Sequence, residues 1–423
     1  MKKLFKYKRT LPNSLHFSTS EPKKGILKTI LYDVHKKNNA ILKIHHGYYL
    51  PDEYQDDTPI TSHLHTRSNC SLFDHTYKPI LKISGEDKFN FLEKYVGSDL
   101  KGLWENECRI SLLLNEQGKI IDDVLIIVRK DFLLMYISVQ CKEKVYKYLN
   151  KKLLDHSKLK VKIEEYTSHS SICIQGSKSV NILNELLKGD INLEKYSFMS
   201  SVLTKLNDVD NCLLNRYTCT GEDGFNILIP KEKIQQIYKC ILKDPLVKPA
   251  GLIVQNTLRL ECGFCIYGKD INENVTPIEA NYKWVLGKRR LKELDFNGAH
   301  IIMNQINNGA KIKRVGLIMD STTVPMENAK IYSNDQPDTL EETKSNTNIP
   351  EQMNKQTNKQ TQETIGHITS SCFSPVLQKP IAMAYVNIEH SIINNTIKVK
   401  CADKLETAKI VKMPFVPLSV YKI

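Results

Sequence analysis

Short runs of apolar residues alternate along the chain with segments in which apolar residues recur every three or four positions. The short runs are rich in β-branched and aromatic residues, which is typical of strands. We predict strands in ILKISGED, DVLIIV, LLMYISV, SSICIQG, FNILIP, VGLIM and IAMAYV. We predict helices in DKFNFLEKYV, CKEKVYKYLNKKLL and KEKIQQIYKCIL, where the apolar residues have helical spacing. The pattern therefore predicts an α+β fold.

Two segments differ in composition from the rest of the chain. Residues 333–364 are rich in Asn, Gln, Thr and Lys. We predict that they form a disordered insertion in a loop of a C-terminal domain, because an ordered pattern resumes at Ile365. Residues 1–28 begin with MKKLFKYKRTLPNSLHFSTS, which is basic and has no Asp or Glu. This composition predicts an organelle transit peptide, with a basic disordered tail as the alternative.

The charge of the chain narrows the range of partners. Its 423 residues include 60 Lys and Arg against 47 Asp and Glu, which gives a formal charge of +13 and favours acidic partners. Only nine of the basic residues are Arg, the residue on which readers of bases and phosphates depend. We therefore expect no nucleic-acid partner. The length allows two or three domains with a sizeable core.

Motif searches exclude several classes of site. The 11 cysteines are scattered, with no CxxC pair and no zinc-finger spacing, so we predict a reducing compartment and no metal site. No apolar run approaches the roughly 18 to 20 residues of a transmembrane helix, so we expect no membrane partner. The sequence also lacks GxGxxG, GxxxxGK[ST], HExxH and GxSxG, which are the usual signatures of nucleotide, zinc-hydrolase and serine-hydrolase chemistry.

Two adjacent carboxylates stand directly before an apolar run. In NEQGKIIDDVLIIV, Asp122 and Asp123 precede five aliphatic residues and follow a turn marked by Gly118. Successive strand residues face opposite sides, and both sides are apolar here. An unpaired buried carboxylate costs several kcal/mol. The pair therefore either caps the turn outside the core, or has a function, as a general base or in orienting a cationic substrate.

Eight blocks of the sequence carry a family resemblance. They are SHLHTRSNCSLFD, NEQGKIIDDVLI, TGEDGFNILIP, LRLECGFCIYGKDINENVTPIEA, WVLGKRR, IGHITSSCFSPVL, IAMAYV and KMPFVPLSVY. Taken in order, from about Leu31 to Tyr421, they resemble the consecutive signatures of the T-protein family of the glycine cleavage system, the aminomethyltransferases. The resemblance is greatest to the mitochondrial branch of the family, which supports the interpretation of the first residues as a transit peptide.

The resemblance implies a three-domain, cloverleaf-like α+β chain around a central folate cavity. Residues 29–310 would form a folate-binding region of two interleaved domains, and residues 311–423 a C-terminal, β-barrel-like domain. The implied reaction transfers an aminomethyl group from the lipoyl arm of the H-protein to tetrahydrofolate, giving 5,10-methylenetetrahydrofolate and ammonia. The expected partners are thus the lipoylated H-protein and folate, in the mitochondrion and without a metal.

The resemblance also assigns roles to residues. Asp123 matches the second aspartate of the family's DD pair and would be catalytic, while Asp122 would support it or cap the turn. Tyr421 matches a position that contacts folate. The basic run at 288–290 either attracts the folate tail and the acidic H-protein or forms a solvated turn. The expected folate contacts are Asp122, Cys219, Asn226, Gln255 and Tyr421.

Several of these positions depart from the family pattern. Cys219 and Asn226 replace the tyrosine and the last glutamate of GYTGE-x-G-x-E. Gln255 and Asn256 replace the arginine and aspartate that precede x-LRLE, and residues 73–78 read FDHTYK instead of FDVSHM. An asparagine cannot accept from two N–H donors as a glutamate does.

Two explanations of these departures compete. Loss of the glutamate at position 226 together with the arginine at position 255 fits compensation, since removing one partner alone would leave a buried charge unpaired, at about 3–5 kcal/mol. Alternatively, the site has changed its ligand. The main hypothesis is aminomethyl transfer, and the alternative is a non-catalytic protein of the same fold, either a folate-binding scaffold or an iron–sulfur assembly factor. The second form is weakly supported, because RYTCTGEDG lacks the KGCYxGQE motif of such factors.

Overall fold

The computed structural model describes residues 25–334 and 363–421. Its strands are β1 (Leu27–Lys28), β2 (Ala40–His45), β3 (Tyr48–Tyr54), β4 (Cys70–Asp74), β5 (Ile80–Ser84), β6 (Cys108–Leu114), β7 (Ile120–Val128), β8 (Phe132–Tyr136), β9 (Lys162–Glu165), β10 (His169–Gln175), β11 (Ser201–Leu206), β12 (Val209–Arg216), β13 (Gly224–Pro230), β14 (Val247–Pro249), β15 (Ile312–Met319), β16 (Lys330–Ser333), β17 (Thr364–Ser374), β18 (Lys379–Asn387), β19 (Thr396–Cys401) and β20 (Lys404–Val411). Its α-helices are α1 (Tyr32–Lys37), α2 (Pro59–Ser68), α3 (Lys88–Leu92), α4 (Lys142–Asp155), α5 (Ser179–Leu186), α6 (Ile234–Ile241), α7 (Leu252–Glu261), α8 (Lys288–Glu293) and α9 (Ala299–Asn308).

The strands form three open sheets and one closed barrel. The sheet orders are β1-β3-β2, β11-β12-β13-β10-β4-β14 and β6-β7-β8-β5-β9, and the barrel order is β15-β18-β17-β16-β19-β20. Every strand and helix predicted from the hydrophobic pattern is present, which confirms the α+β class. The predicted C-terminal barrel is also confirmed.

The six-stranded sheet separates an apolar core from a more polar surface. On β10, Ile172 and Ile174 pack into the core that also contains α5 and α6, whereas Cys173 between them packs on the other side. On β13, Ile227 belongs to that core and Asn226 beside it is buried on the opposite face. Strand alternation therefore gathers cysteine, asparagine and serine side chains on one face of this sheet.

The five-stranded sheet divides the residues of β7 between two cores. Val124, Ile126 and Val128 pack with α3, α4 and α9, and Asp122 shares their face. Leu125 and Ile127 pack in a separate cluster, on the face of Asp123. The two faces predicted for this strand are therefore confirmed.

The two large sheets pack against each other through the second of these clusters. It combines Leu125 and Ile127 of the five-stranded sheet with Leu213 and Leu228 of the six-stranded sheet. Asp123 lies two residues before Leu125 on the same strand face, and Asn226 lies two residues before Leu228. The apolar contact between the sheets thus gives way to polar residues on both sides at one edge, where the candidate site lies.

The barrel and the chain ends complete the described structure. Tyr332 of β16 pairs with Thr364 of β17, so residues 335–362, the greater part of the predicted insertion, join two adjacent antiparallel strands and lie outside the described residues. Most of the predicted transit peptide, residues 1–24, also lies outside them, whereas Leu27 and Lys28 pair with β3. Within the described ranges, no helix has the length and apolarity needed to cross a bilayer.

Candidate active site between the two large sheets

The aspartate pair, Asp122 and Asp123, lies near the start of β7, inside the fold. Asp122 is fully buried. Its carboxylate accepts hydrogen bonds from the backbone N–H of Ser138 (2.8 Å) and from that of Asp123 (3.0 Å). Asp123 is partly exposed, and its Oδ1 accepts a longer hydrogen bond, 3.4 Å, from Ser138 Oγ. Asp122 is therefore fixed by the backbone, whereas Asp123 is held more loosely.

The turn before β7 is stabilised by another residue. Asn115 Oδ1 accepts from the backbone N–H groups of Gln117 (3.0 Å) and Lys119 (2.9 Å). Gly118 occupies the left-handed position, at φ +69°. The interpretation in which Asp122 or Asp123 caps this turn is therefore wrong, because Asn115 supplies the acceptor and the aspartates lie in the strand beyond it.

The two carboxyl groups hold their protons more tightly than ordinary aspartates do. Burial raises the pKa of Asp122 to about 7, and the neighbouring Asp123 charge adds to this effect. Burial also raises the pKa of Asp123, although its own backbone N–H and Lys78 act in the opposite direction. Since two close carboxylates repel each other, the pair shares a proton more readily than either group alone would bind one.

Tyr217 links the aspartate pair to the opposite sheet. Burial raises its pKa well above the ordinary value, and the charges of Cys219 and Asp123 both add to the shift. The ring therefore lies close to both groups. Lys78 is also within electrostatic reach of Asp123 and of Cys219. A tyrosine, a lysine and a carboxylate thus converge on the space between the sheets.

The six-stranded sheet contributes hydrogen-bond acceptors to this space. Asn226 and Asn215 are buried on adjacent strands and pair with each other in register. The Oδ1 atoms of both accept no hydrogen bond from the described residues. A buried acceptor without a donor is costly. These two atoms are therefore suited to N–H donors of a bound ligand.

A second group, the thiol cluster, consists of His75, Cys173 and Cys219. The two Sγ atoms are 3.9 Å apart, and one side-chain donor atom from each of the three residues lies within 4.8 Å of the others. Gln255 Nε2 is 3.1 Å from His75 Nε2 and 3.4 Å from Cys219 Sγ. A narrow gap bordered by Phe73 and Gln255, without room for a water molecule, adjoins the cluster. The structure therefore brings two predicted folate contacts, Cys219 and Gln255, into direct contact.

The cluster has its own charge balance. The pKa of Cys219 lies well below its ordinary value, chiefly because the Cys173 thiol donates to it, and His75 and Lys78 act in the same direction against the cost of burial. Burial raises the pKa of Cys173 and lowers that of His75. The Cys173 thiol therefore acts as a donor to the Cys219 sulfur, and burial favours the neutral form of the His75 imidazole.

The loop that carries Cys219 is anchored at a single amide. Gln175 Oε1 accepts from Thr218 Oγ1 (3.1 Å), Cys219 N (3.2 Å) and Thr220 Oγ1 (2.9 Å). At Gly221, φ is +85° and an added Cβ would lie 1.9 Å from Cys262 Sγ, so only glycine fits. These constraints fix the position of Cys219.

A buried ionic network connects this loop to α2 and α7. Arg67 donates to Glu222 Oε1 and to Glu261 Oε2, each at 2.6 Å. Glu261 also contacts His63 Nε2 at 3.0 Å and accepts from Ser374 Oγ of the barrel at 2.5 Å. The pKa of Glu261 falls to about 2, because these partners outweigh the cost of burial. The network holds the thiol cluster in place without belonging to it.

The structure separates Tyr421 from the other predicted folate contacts. Its ring lies over the Arg216 guanidinium, 4.3 Å from centroid to carbon, and its carbonyl accepts from Phe198 N. Asn256, the other altered position on α7, accepts from Arg259 Nε at 2.9 Å. Thus Asp122 and Asp123 stand on one sheet, Asn226 and the thiol cluster belong to the other side, and Tyr421 packs on Arg216.

The basic run at 288–290 fits neither of its two interpretations. Arg290 is fully buried and contacts Asp295 and the Glu93 carbonyl. Arg289 bonds to Asp99 and Glu93, which raises its pKa. Only Lys288 is exposed. The idea that Lys288, Arg289 and Arg290 together form a docking patch or a solvated turn is therefore wrong, because both arginines bind acidic groups within the fold.

Sequence reasoning gave no role to Lys78, Asn215 and Tyr217, and it missed two of the three members of the thiol cluster. His75 and Cys173 received no role, because neither stands in a recognisable ligand motif. The only available signal for His75 was the replacement of FDVSHM by FDHTYK at residues 73–78. For Cys173, strand alternation alone indicated a side chain on the face away from Ile172 and Ile174.

Two large sheets enclosing a buried acidic pair, followed by a closed barrel, define a multidomain α+β enzyme class. Family comparison makes the assignment specific. The model described as GCVT N-terminal domain matches residues 31–290, and that described as Glycine cleavage T-protein C-terminal barrel domain matches residues 313–417. The chain belongs to the glycine cleavage T-protein family.

Individual relatives agree with this assignment. The human mitochondrial aminomethyltransferase is 34% identical over 399 residues, covering 94% of this chain and 91% of that protein. The mitochondrial aminomethyltransferase of Dictyostelium discoideum is 32% identical over 422 residues, covering 97% of both. The crystal structure of glycine cleavage system aminomethyltransferase T from Bartonella henselae has a TM-score of 0.82 at 23% identity, covers 94% of this chain and all of that one, and shows the same fold.

These comparisons settle the coarse predictions. The family and the fold class are confirmed, and the relatives' names confirm a transferase and a mitochondrial location. The individual site residues stay predictions at this point, as do the domain borders at 28, 310 and 311.

Proposed function

We propose that this protein transfers an aminomethyl group from a lipoylated H-protein to tetrahydrofolate, forming 5,10-methylenetetrahydrofolate and ammonia. The family and the names of the relatives support the reaction class. The observation that carries the proposal is the unequal pair on β7, in which Asp122 is fixed and fully buried while Asp123 is partly exposed towards the facing sheet.

The reaction needs such a carboxylate. The donor carbon loses its bonds to the lipoyl sulfur and to the amino nitrogen, and it gains bonds to two folate nitrogens. The two folate N–H protons leave, one on the lipoyl thiol and one on ammonia. Positive charge develops on the carbon and nitrogen atoms during this exchange. An anionic Asp123 in a weakly hydrated site stabilises that charge and orients the folate N–H groups.

Asp122 serves the reaction indirectly. Its hydrogen bonds to the backbone of Ser138 and Asp123 fix the strand geometry at the reacting position. Its pKa of about 7 lets it share a proton with Asp123 near neutral pH. We therefore assign Asp123 to substrate contact and Asp122 to positioning.

The opposite sheet suits the pterin end of folate. A pterin presents N–H donors, and the Oδ1 atoms of Asn226 and Asn215 are buried and accept no hydrogen bond from the described residues, with the Tyr136 side chain within reach of Asn226. Asn226 replaces a family glutamate, so it offers one acceptor where the family offers two. We therefore propose that tetrahydrofolate binds here through neutral hydrogen bonds, with weaker affinity than in relatives that keep the glutamate.

The direct test compares transfer by the wild-type protein with transfer by Asp123→Ala. Aminomethyl-loaded H-protein and tetrahydrofolate are mixed with enzyme under anaerobic conditions, and ammonia and methylenetetrahydrofolate are measured. We expect the turnover rate to fall by about 100- to 1000-fold, which is typical for loss of one electrostatic stabiliser. Asp131→Ala, at an exposed aspartate just after the same strand, is the matched control and should keep full turnover.

Equal turnover by wild type and Asp123→Ala would remove the proposed role of this residue. Saturable folate binding without any transfer by the wild type would instead favour the alternative, a non-catalytic folate-binding scaffold. That alternative has one observation in its favour, namely that Cys219 and Gln255, both altered family positions, contact each other and His75. Isothermal titration with tetrahydrofolate, combined with the transfer assay, separates the two functions.

A further inference from the structure

We propose that His75, Cys173 and Cys219 form a binding site for a borderline-soft divalent metal ion, Zn²⁺ in the first place. Histidine nitrogen and cysteine thiolate are the ligands that Zn²⁺ prefers, and a three-ligand set with an open fourth position is typical of zinc sites that bind an external group. No motif spacing suggested this site, and its ligands come from three separate parts of the chain.

The geometry of the two sulfur atoms fits the ion. In a tetrahedral site with Zn–S bonds of about 2.3 Å, two thiolates are about 3.8 Å apart. The Sγ atoms of Cys173 and Cys219 are 3.9 Å apart. The imidazole nitrogen of a tetrahedral site lies about 3.6 Å from each sulfur. All three donor atoms already lie within 4.8 Å of one another, so a side-chain adjustment of about 1 Å completes the set.

Gln255 marks the fourth position. Its amide group contacts both His75 Nε2 (3.1 Å) and Cys219 Sγ (3.4 Å), so it lies beside two of the three ligands. The two ends of a glutamine amide are not distinguished by shape, and rotation of the amide turns Oε1 towards the ligands. The fourth ligand is therefore Gln255 Oε1.

Packing alone does not account for the cluster. Isolated buried cysteines behave as small apolar residues, and the chain has examples in Cys108 and Cys372. The thiol cluster differs because two sulfur atoms, an imidazole and an amide converge at one point in the interior. Its rigid supports are β10, through Cys173, and the loop that Gln175 fixes around Cys219.

Charge also favours the ion. Binding of Zn²⁺ releases the protons that the two sulfur atoms still hold, so that two thiolates neutralise the metal and the neutral imidazole completes the ligand set. No oxidant or reductant is required. With two thiolates and a neutral imidazole around Zn²⁺, the loaded site has no net charge. It therefore avoids the large cost of burying an uncompensated ion.

The test measures metal content in the full protein, reduced with a phosphine, loaded with ZnCl₂ and passed through a desalting column. We expect about one Zn²⁺ per chain by inductively coupled plasma mass spectrometry. Cys173→Ser and Cys219→Ser should each lower retained zinc at least 10-fold. Cys372→Ser, at a buried cysteine of a different cluster, is the matched control and should retain the ion.

A spectroscopic measurement covers the case in which the serine variants fold poorly. Co²⁺ in the wild-type protein should give thiolate-to-metal charge-transfer bands in the near ultraviolet and the intense visible bands of a tetrahedral site. Retention of less than 0.1 equivalent of zinc, on the order of background, together with absence of these bands in the wild type, would overturn the proposal. Equal zinc loss in Cys372→Ser would also overturn it.

This inference stands apart from the proposed transfer reaction. Asp123→Ala should retain zinc fully, because Asp123 is not a ligand of the cluster. A protein that binds zinc and transfers no aminomethyl group would disprove the proposed function and leave the metal site intact. A protein that transfers the group and retains no zinc would do the opposite.

Discussion

Asp123 of the aspartate pair and the thiol cluster face the same space from two sheets, whereas Asp122 lies on the other face of β7, and the two groups differ in chemistry. The aspartate pair consists of two acidic groups with raised pKa values, set in a strand of aliphatic residues. The thiol cluster consists of sulfur and imidazole, with Gln255 where the family has an arginine. One side keeps the family's charged residues, whereas the other has replaced charge by polarisable and neutral groups.

This difference shows that replacement of side chains is constrained differently at the aspartate pair and at the thiol cluster. A carboxylate that stabilises developing positive charge has no neutral substitute, so Asp123 tolerates no neutral replacement if transfer occurs. A ligand-holding surface needs only complementary donors and acceptors, and several sets of side chains meet that need. The six-stranded sheet, with Asn226 and the thiol cluster, is therefore the side on which a member of this family can change its ligand or acquire a metal.

The largest expected effect is a loss of stability when the buried ionic network beside the thiol cluster is broken. Glu261→Ala leaves Arg67 without one of its two carboxylate partners in a buried position. Removing one partner of a buried ion pair costs about 3–5 kcal/mol, so the free energy of unfolding from urea titration should fall by that amount. Glu86→Ala, which removes an exposed ion pair with Lys160, should leave it unchanged.

The pH dependence provides a second readout of the same change. The pKa of Glu261 in the folded protein, about 2, lies below its ordinary value of 4.5. Its ionisation therefore stabilises the fold above pH 4.5, and this contribution is lost as the pH falls towards 2. The difference in the free energy of unfolding between wild type and Glu261→Ala should therefore shrink as the pH falls from 4.5 towards 2. A difference that stays constant from pH 6 to pH 3 would show that the carboxylate charge is not the stabilising feature.

At the aspartate pair we expect a smaller change in the free energy of unfolding, and here the substitution should stabilise the protein. Folding raises the pKa of Asp122 from 3.8 to about 7, so the folded state holds the proton longer and stability falls as the pH rises between these values. Asp122→Asn removes this dependence. Since a tenfold change in proton affinity corresponds to about 1.4 kcal/mol, the variant should gain about 1–3 kcal/mol relative to wild type between pH 5 and pH 8.

The melting temperature measured at both pH values checks this prediction. For each protein, the melting temperature at pH 8 is compared with that at pH 5. This comparison cancels the pH-independent cost of replacing an oxygen that accepts from Ser138 N. Transfer activity should fall less in Asp122→Asn than in Asp123→Ala, since Asp122 positions and does not contact the substrate. Parallel melting curves for wild type and Asp122→Asn at both pH values would contradict the raised pKa.

Much of the fold follows from local pattern. The aliphatic content of DVLIIV and FNILIP predicts strands because β-branched and aliphatic side chains pack on both faces of a buried sheet. Strand alternation also predicts that Asp122 and Asp123 face opposite sides, as found. The Asn, Gln and Thr content of residues 333–364 predicts an insertion in a loop, and Tyr332 and Thr364 at its ends pair in adjacent strands.

The site depends on contacts that local pattern does not contain. Cys173 and Cys219 are 46 positions apart, and His75 and Gln255 are 180 positions apart, so no spacing rule detects the thiol cluster. The basic run at 288–290 failed as a prediction for the same reason. Its arginines bind Glu93 and Asp99, which lie almost 200 positions earlier in the chain.

The compensation between the altered pterin positions is tested by a double-mutant cycle. Asn226→Glu and Gln255→Arg restore the family residues singly and together. If the two replacements offset each other, each single change introduces a buried charge without its partner, whereas the double change restores a charged pair. We expect the double variant to bind tetrahydrofolate about 10-fold more tightly than wild type, a gain of about 1.4 kcal/mol, and neither single variant to improve binding.

Isothermal titration of all four proteins gives the coupling energy directly. Gln255→Arg should also weaken zinc retention, because Gln255 contacts both His75 and Cys219. Equal gains from the two single changes would show that Asn226 and Gln255 act independently. The family's glutamate and arginine would then have been lost separately at positions 226 and 255, without compensation between the two changes.

The smallest effect is expected far from both groups, at the insertion in the barrel. Tyr332 and Thr364 are already paired across adjacent antiparallel strands, so a short Asn-Gly turn can replace residues 335–362 without moving either strand. Shortening a loop changes its closure entropy only logarithmically, by about 0.6 kcal/mol for each halving. Going from 28 residues to two is almost four halvings, so the melting temperature should stay the same or rise, with a gain of no more than about 2 kcal/mol in the free energy of unfolding. Zinc retention and transfer rate should stay within error of wild type. A fall of many degrees would show that the segment packs against the barrel and contributes to its stability, contrary to its polar composition.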